Sequence, residues 1–188
     1  MTKDLLMWNI RITLAMAIAW LALFCLNPKI HVFGQNFPWI SALFLPAGLR
    51  IYGAMLFREM VIPGLLIGNM LATVIASKSL PEALKIGPLA AGVISSLTPF
   101  LSLLIFEKVC NEDVDVLKIK MKPIALLKLV GIYAIVNGLA GCAYFKFSRD
   151  MTSIGMLDFF DMAMGDFFGA IIFLGIIYFL REPIKKIL

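Results

Sequence analysis

Six stretches of the chain run without a charged residue: Ile12–Pro28, Ile30–Leu49, Met60–Ser77, Ile86–Phe106, Leu129–Phe145 and Phe167–Leu180. A helix that crosses a bilayer needs about 20 predominantly apolar residues, within a range near 17–25. The first five stretches meet that requirement directly. The sixth meets it when extended back to about Asp158, which brings carboxylates into the span. Outer-membrane strands would instead alternate apolar and polar positions over segments of about ten residues. These runs are continuous, and only helices satisfy their own backbone in lipid without closing a barrel. The pattern predicts an all-α polytopic membrane bundle of about six transmembrane helices, near 8–27, 38–57, 60–77, 86–106, 123–146 and 157–180. One transmembrane domain, 1–188, uses the whole chain and leaves no soluble output domain. The first segment reads as a retained helix, because "FCLNPKIHVF" offers no small-x-small cleavage site.

Composition agrees with this pattern. Of 188 residues, 61% are hydrophobic and only 15% charged, against about 45–50% and roughly 25% in soluble domains. The placement of the cations sets the orientation. With the N-terminus inside, the inner segments hold Lys3, Arg11, Arg58, Lys108, Lys118, Lys120, Lys122, Lys128, Arg181, Lys185 and Lys186. The outer loops hold Lys29, Lys78, Lys85, Lys146 and Arg149. That bias predicts both termini in the cytoplasm. The net charge of +5 then reflects this asymmetry and attraction to anionic lipid. No basic stripe interleaved with aromatics points to nucleic acid.

The polar and small residues within the spans differentiate them. Ala15 and Ala19 form a small-xxx-small pair on the first helix. Gly64 and Gly68 form a GxxxG face on the third, followed by Asn69. Such faces let helices approach closely. Pro46 and Gly48 fall inside the second predicted helix, where proline removes a backbone hydrogen bond. They predict a kink or unwound stretch facing the bundle interior, since a break at membrane depth must be satisfied by protein or trapped water. The fourth helix, with Gly87, Pro88, Gly92 and Pro99, is the next most breakable. The fifth carries Asn137. The inner loop from Glu107 to Lys122 is the longest polar piece. It reads either as a docking surface for a protein partner or as a solvated connector.

Arg50 is the conspicuous charge. It lies four residues after Pro46, and no acid follows until Glu59. A charge at the bilayer centre costs about 2.5–3.5 kcal/mol on insertion scales, so such residues face the interior and pair. Counted from the helix starts, Arg50 and Asp166 differ in depth by roughly 6 Å at 1.5 Å per residue. We therefore expect Arg50 to pair with Asp166, with Asp161 as the second choice. The pair is either a structural pin for the last helix or part of a hydrated pocket that receives a small-molecule ligand or moves an ion. The alternative to the pair is an Arg50 that reaches the inner interface and meets water and lipid phosphate.

Two stretches carry a resemblance. "LPAGLRIYGAMLF…IPGLLIGNMLA" contains Pro46, Gly48, Pro63, Gly64, Gly68 and Asn69. "MGDFFGAIIFL" contains Gly165, Asp166 and Gly169. Together they resemble the MASE1 family of bacterial integral membrane sensory domains. The resemblance implies a multi-helix sensory bundle in a bacterial inner membrane. Gly165 and Gly169 read as helix-packing residues. Family members usually carry a kinase or cyclic-dinucleotide enzyme domain after the bundle. This chain is shorter, with six predicted helices rather than about eight, and ends at Leu188.

The leading expectation is thus a sensory or regulatory bundle that binds a ligand or partner protein and acts through another chain. A vitamin-type transporter subunit fits the size and helix count. A structural subunit of a larger membrane complex fits the glycine faces. No catalytic set and no phosphate loop is present. Cys25, Cys110, Cys142 and His31 are scattered, without metal-ligand spacing. The expectation is no enzyme, no metal and no cofactor.

Overall fold

The computed structural model describes residues 3–26, 44–111, 123–148 and 155–187. All elements among them are helical: α1 (Lys3–Leu26), α2 (Pro46–Phe57), a 3-10 turn (Arg58–Met60), α3 (Val61–Ser77), α4 (Leu80–Ala83), α5 (Ile86–Cys110), α6 (Pro123–Ser148) and α7 (Met156–Ile187). Five helical stretches are long and apolar enough to cross a membrane: Leu6–Leu26, Pro46–Ser77, Ile86–Cys110, Pro123–Lys146 and Met156–Phe179. The chain is a multi-pass membrane protein.

The expected count of six differs from five at one place. Pro46–Ser77 is not a single rod. Arg58 sits at φ 55, ψ −134, and the chain folds back beyond it. A Cβ built on Gly53 would lie 2.8 Å from Val61 Cγ2, although eight residues of straight helix would separate them by about 12 Å. α2 has 12 residues, about 18 Å of helix, less than a bilayer crossing requires. Residues 38–43, expected to begin this helix, lie outside the described residues. So do His31 and residues 112–122 of the polar loop.

α2 is the centre of the molecule. Pro46 to Ile51 and Gly53 to Met55 are all buried, so most of the helix is enclosed, the charged Arg50 included. One side joins Ala47, Ile51 and Met55 to Leu103, Phe106, Leu129, Val130, Ala170 and Leu174 of α5, α6 and α7. The other joins Leu49 and Ala54 to Ile12, Met16 and Trp20 of α1 and Val61 and Leu65 of α3. Outward-facing Ile18, Ile75, Leu104, Leu139, Ile176 and Phe179 are exposed, as suits contact with lipid tails.

The Gly64 and Gly68 face receives α1. An added Cβ would meet Met16 Cβ and the Thr13 carbonyl oxygen at 2.7 Å from Gly64, and Trp20 Cδ1 at 2.5 Å from Gly68. The matching face of α1 is Ile12, Met16 and Trp20, not the expected Ala15–Ala19 pair. Ala15 is exposed and Ala19 only half-buried. Bulky side chains on one helix fill what glycines leave open on the other, so small residues are not needed on both. α5 is continuous through Pro99, despite its expected weakness. The Thr98 hydroxyl, 3.3 Å from the Ser95 carbonyl oxygen, stands near an acceptor that the proline leaves without its helical donor.

Candidate functional site

The site is set by how α2 begins. Phe44 and Leu45 precede it without helical structure, and Pro46 takes the first helical position, where its missing N–H and fixed φ are harmless. The expected break therefore lies just before Pro46 rather than within a helix around Pro46 and Gly48. Its backbone groups are satisfied by protein. The Phe44 N–H donates to the Gly165 carbonyl at 3.1 Å, Ala47 N–H to the Phe44 carbonyl at 2.9 Å, and Gly48 N–H to the Leu45 carbonyl at 3.0 Å. Glycine permits this docking on α7. A Cβ on Gly169 would lie 2.1 Å from the Phe44 carbonyl oxygen, and one on Gly48 would lie 2.3 Å from Phe173 Cβ.

One turn inside, Arg50 is 5% exposed. Its guanidinium carbon stands 4.2 Å from the centroid of the Trp20 ring and 5.2 Å from that of Phe44. A desolvated cation over an aromatic face is stabilised by about 2 kcal/mol. Trp20 and Phe44 themselves meet edge-on at 5.9 Å. Arg50 Nη1 donates to Tyr133 Oη over a long 3.5 Å. Among the described residues, two buried donors here have no acceptor: Arg50 Nε and Trp20 Nε1.

Asp166, 4% exposed, belongs to a different chain of contacts. Asn137 Nδ2 donates to Asp166 Oδ2 at 2.6 Å, and Thr98 Oγ1 donates to Asn137 Oδ1 at 2.8 Å. Each direction fixes the next. An ionised carboxylate only accepts, so Asn137 must turn its amide nitrogen toward it and its carbonyl toward Thr98. The ladder ties α7 to α6 and α6 to α5.

Arg50 and Asp166 are close enough to interact electrostatically, and Tyr133 feels both. They form no direct ion pair or hydrogen bond. Among the described residues the ion pair is Arg58–Glu107. In place of a direct contact, Arg50 stacks on Trp20 of α1 and reaches Tyr133 of α6, while Asp166 takes Asn137, one turn further along α6.

No family model matches the chain, and no curated protein or solved structure does. The site must therefore be read from its own residues.

Asp161, the second choice as partner, is exposed on α7 and outside the site. Asn69 is likewise elsewhere. Its Nδ2 donates to the Leu65 carbonyl at 2.8 Å and lies 3.5 Å from Ser96 Oγ, which links α3 to α5. Among the described residues no group of His, Cys, Asp and Glu could hold a metal. Sequence reasoning missed Trp20, Phe44, Tyr133 and Thr98 as site residues. A tyrosine and a threonine inside uncharged runs are a signal of sorts, because each brings a polar group that needs a partner in lipid. Trp20 carried none, since a tryptophan there also fits a depth marker. The Arg58–Glu107 pair was missed too. Nη2 meets Oε2 at 3.1 Å and Nη1 meets Oε1, clasping the α2–α3 turn to the end of α5.

Proposed function

We propose that the chain is a small MASE1-like bundle of a bacterial inner membrane, with both termini cytoplasmic. It receives a ligand at the Arg50 end of its polar core and acts, without catalysis, on another chain. The observation that carries this reading is the asymmetry between the two buried charges. Asp166 is held by a completed ladder to Asn137 and Thr98, which is what a structural pin requires. Arg50 has aromatic faces, one long hydrogen bond and an unused donor, with no carboxylate in contact. Buried charge of that kind is retained in membranes chiefly at sites of function. The two stretches that resemble the sensory family also meet in space, with Gly48 against Phe173 and Ala47 in one buried cluster with Ala170.

Native mass spectrometry of the protein extracted from its own membranes tests the proposal. The wild type should carry a bound small molecule or a second chain, and Arg50→Met should lose it while keeping its helical content. A wild-type protein free of any bound species, or an unchanged complement in Arg50→Met, would remove the reading.

A further inference from the structure

Building on the ligand-receiving role proposed above, we propose that Arg50 Nε and Trp20 Nε1 together bind the carboxylate of a monoanionic ligand. Both atoms are buried without an acceptor, and the guanidinium rests on the indole at 4.2 Å, so the two donors belong to one locus. Indole and guanidinium nitrogens donate and never accept. The missing group is therefore an acceptor, and a buried donor left unmade is costly enough to favour one.

Charge narrows the chemistry further. The guanidinium is permanently cationic and touches no carboxylate among the described residues, so a single negative charge matches it. Asp166 lies within electrostatic range, and a doubly charged phosphate would crowd more negative charge against it. The planar carboxylate offers two oxygens, one for each donor. Low-dielectric surroundings strengthen the attraction. A second ring beside the guanidinium is Phe44, which meets Trp20 edge-on and lies on the non-helical segment before Pro46. Its displacement admits the ligand without unwinding a helix.

Carboxylates reach this depth from two sources: a small acid from water, or a fatty acid from the bilayer. Calorimetric titration of the full chain in nanodiscs separates them, with acetate and propionate as one series and decanoate and palmitate as the other. Decanol and decanamide report chain burial alone, and inorganic phosphate reports a doubly charged anion. One carboxylate series should bind saturably. The matched alcohol, the amide and phosphate should bind at least about tenfold more weakly, the loss expected for a charged hydrogen bond. Arg50→Met should lose binding by more than about tenfold, and Trp20→Phe, which keeps the ring and loses the N–H, by about three- to tenfold. Asp166→Asn should tighten it, because a nearby like charge is removed. Absence of carboxylate binding to the wild type, equal binding by the amide, or unchanged binding in Arg50→Met would each overturn the proposal. A bound ligand of another class in native mass spectra would overturn the carboxylate alone and leave the receiving role standing. A wild type with neither ligand nor partner would remove both.

Discussion

Replacing Gly169 by alanine puts one methyl group where the Phe44 backbone now rests. The added carbon would stand 2.1 Å from the Phe44 carbonyl oxygen, 2.4 Å from its carbon and 2.9 Å from its nitrogen. These are backbone atoms, so no side chain can rotate away to make room. Ordinary contact begins near 3.4 Å, and the segment must withdraw by about 1 Å to reach it. That shift stretches the hydrogen bond from Phe44 N–H to the Gly165 carbonyl, now 3.1 Å, beyond useful range. Overpacking costs about 1–3 kcal/mol and the lost bond about 0.5–1.5 kcal/mol. The expected loss of stability is about 2–4 kcal/mol. Gly175→Ala is the control, on the same helix with nothing within 4 Å of the added carbon, and it should stay within about 1 kcal/mol of wild type. Reversible unfolding in mixed micelles, followed by circular dichroism as SDS is raised, measures both. If the two variants unfold together, the docking of Phe44 on α7 is wrong, and with it the placement of Arg50.

Asn137→Ala removes the middle of the ladder and leaves the Asp166 carboxylate and the Thr98 hydroxyl without their mutual partner. The same titration should show a loss of about 1–3 kcal/mol, largely recovered by adding Asp166→Asn if the stranded charge is the cause. The Arg58–Glu107 clasp is partly exposed, at 40% and 18%. A double-mutant cycle with Arg58→Gln and Glu107→Gln should give a coupling of only about 0.5–1 kcal/mol that shrinks in high salt, and a coupling indifferent to salt would contradict a solvated pair. Sidedness can be read by thiol labelling of intact cells in a background lacking Cys25 and Cys142. Ser79→Cys should react with an impermeant reagent while native Cys110 does not, and the reverse pattern would invert the proposed topology.

Much of this architecture is written in hydrophobic length. Continuous apolar runs have one low-energy solution in lipid, so the helices could be read along most of their length, although α1 begins earlier, at Lys3, and α7 runs on to Ile187. The exception is instructive. The helix expected over 38–57, with a break inside it at Pro46 and Gly48, instead starts at Pro46, and Phe44 and Leu45 before it are not helical. A hydropathy window registers the apolar character of Phe44 and not the fact that its N–H is bonded to Gly165. The burial of Arg50 and Asp166 was also legible, because charge amid apolar residues has few other places to go. Their separate partners were not. Depth can be counted along a helix at 1.5 Å per residue, but the direction in which a side chain leaves depends on how each helix is rotated against its neighbours. Ala15 failed for the same reason, while Gly64 and Gly68 were recognised because glycines at that spacing have little purpose other than close approach.

The bond between Phe44 and Gly165 has a consequence for biogenesis. Ribosomes deliver α2 long before α7, so the nascent chain emerges with Trp20 already present to cover the guanidinium but with its Phe44 amide lacking the Gly165 carbonyl that finally accepts it. Until α7 enters, this amide must be met at the headgroups, beside insertion machinery or by trapped water. The central helix in space is thus among the last to settle in time, and truncation before α7 should expose the chain to membrane quality-control proteases rather than merely shorten it.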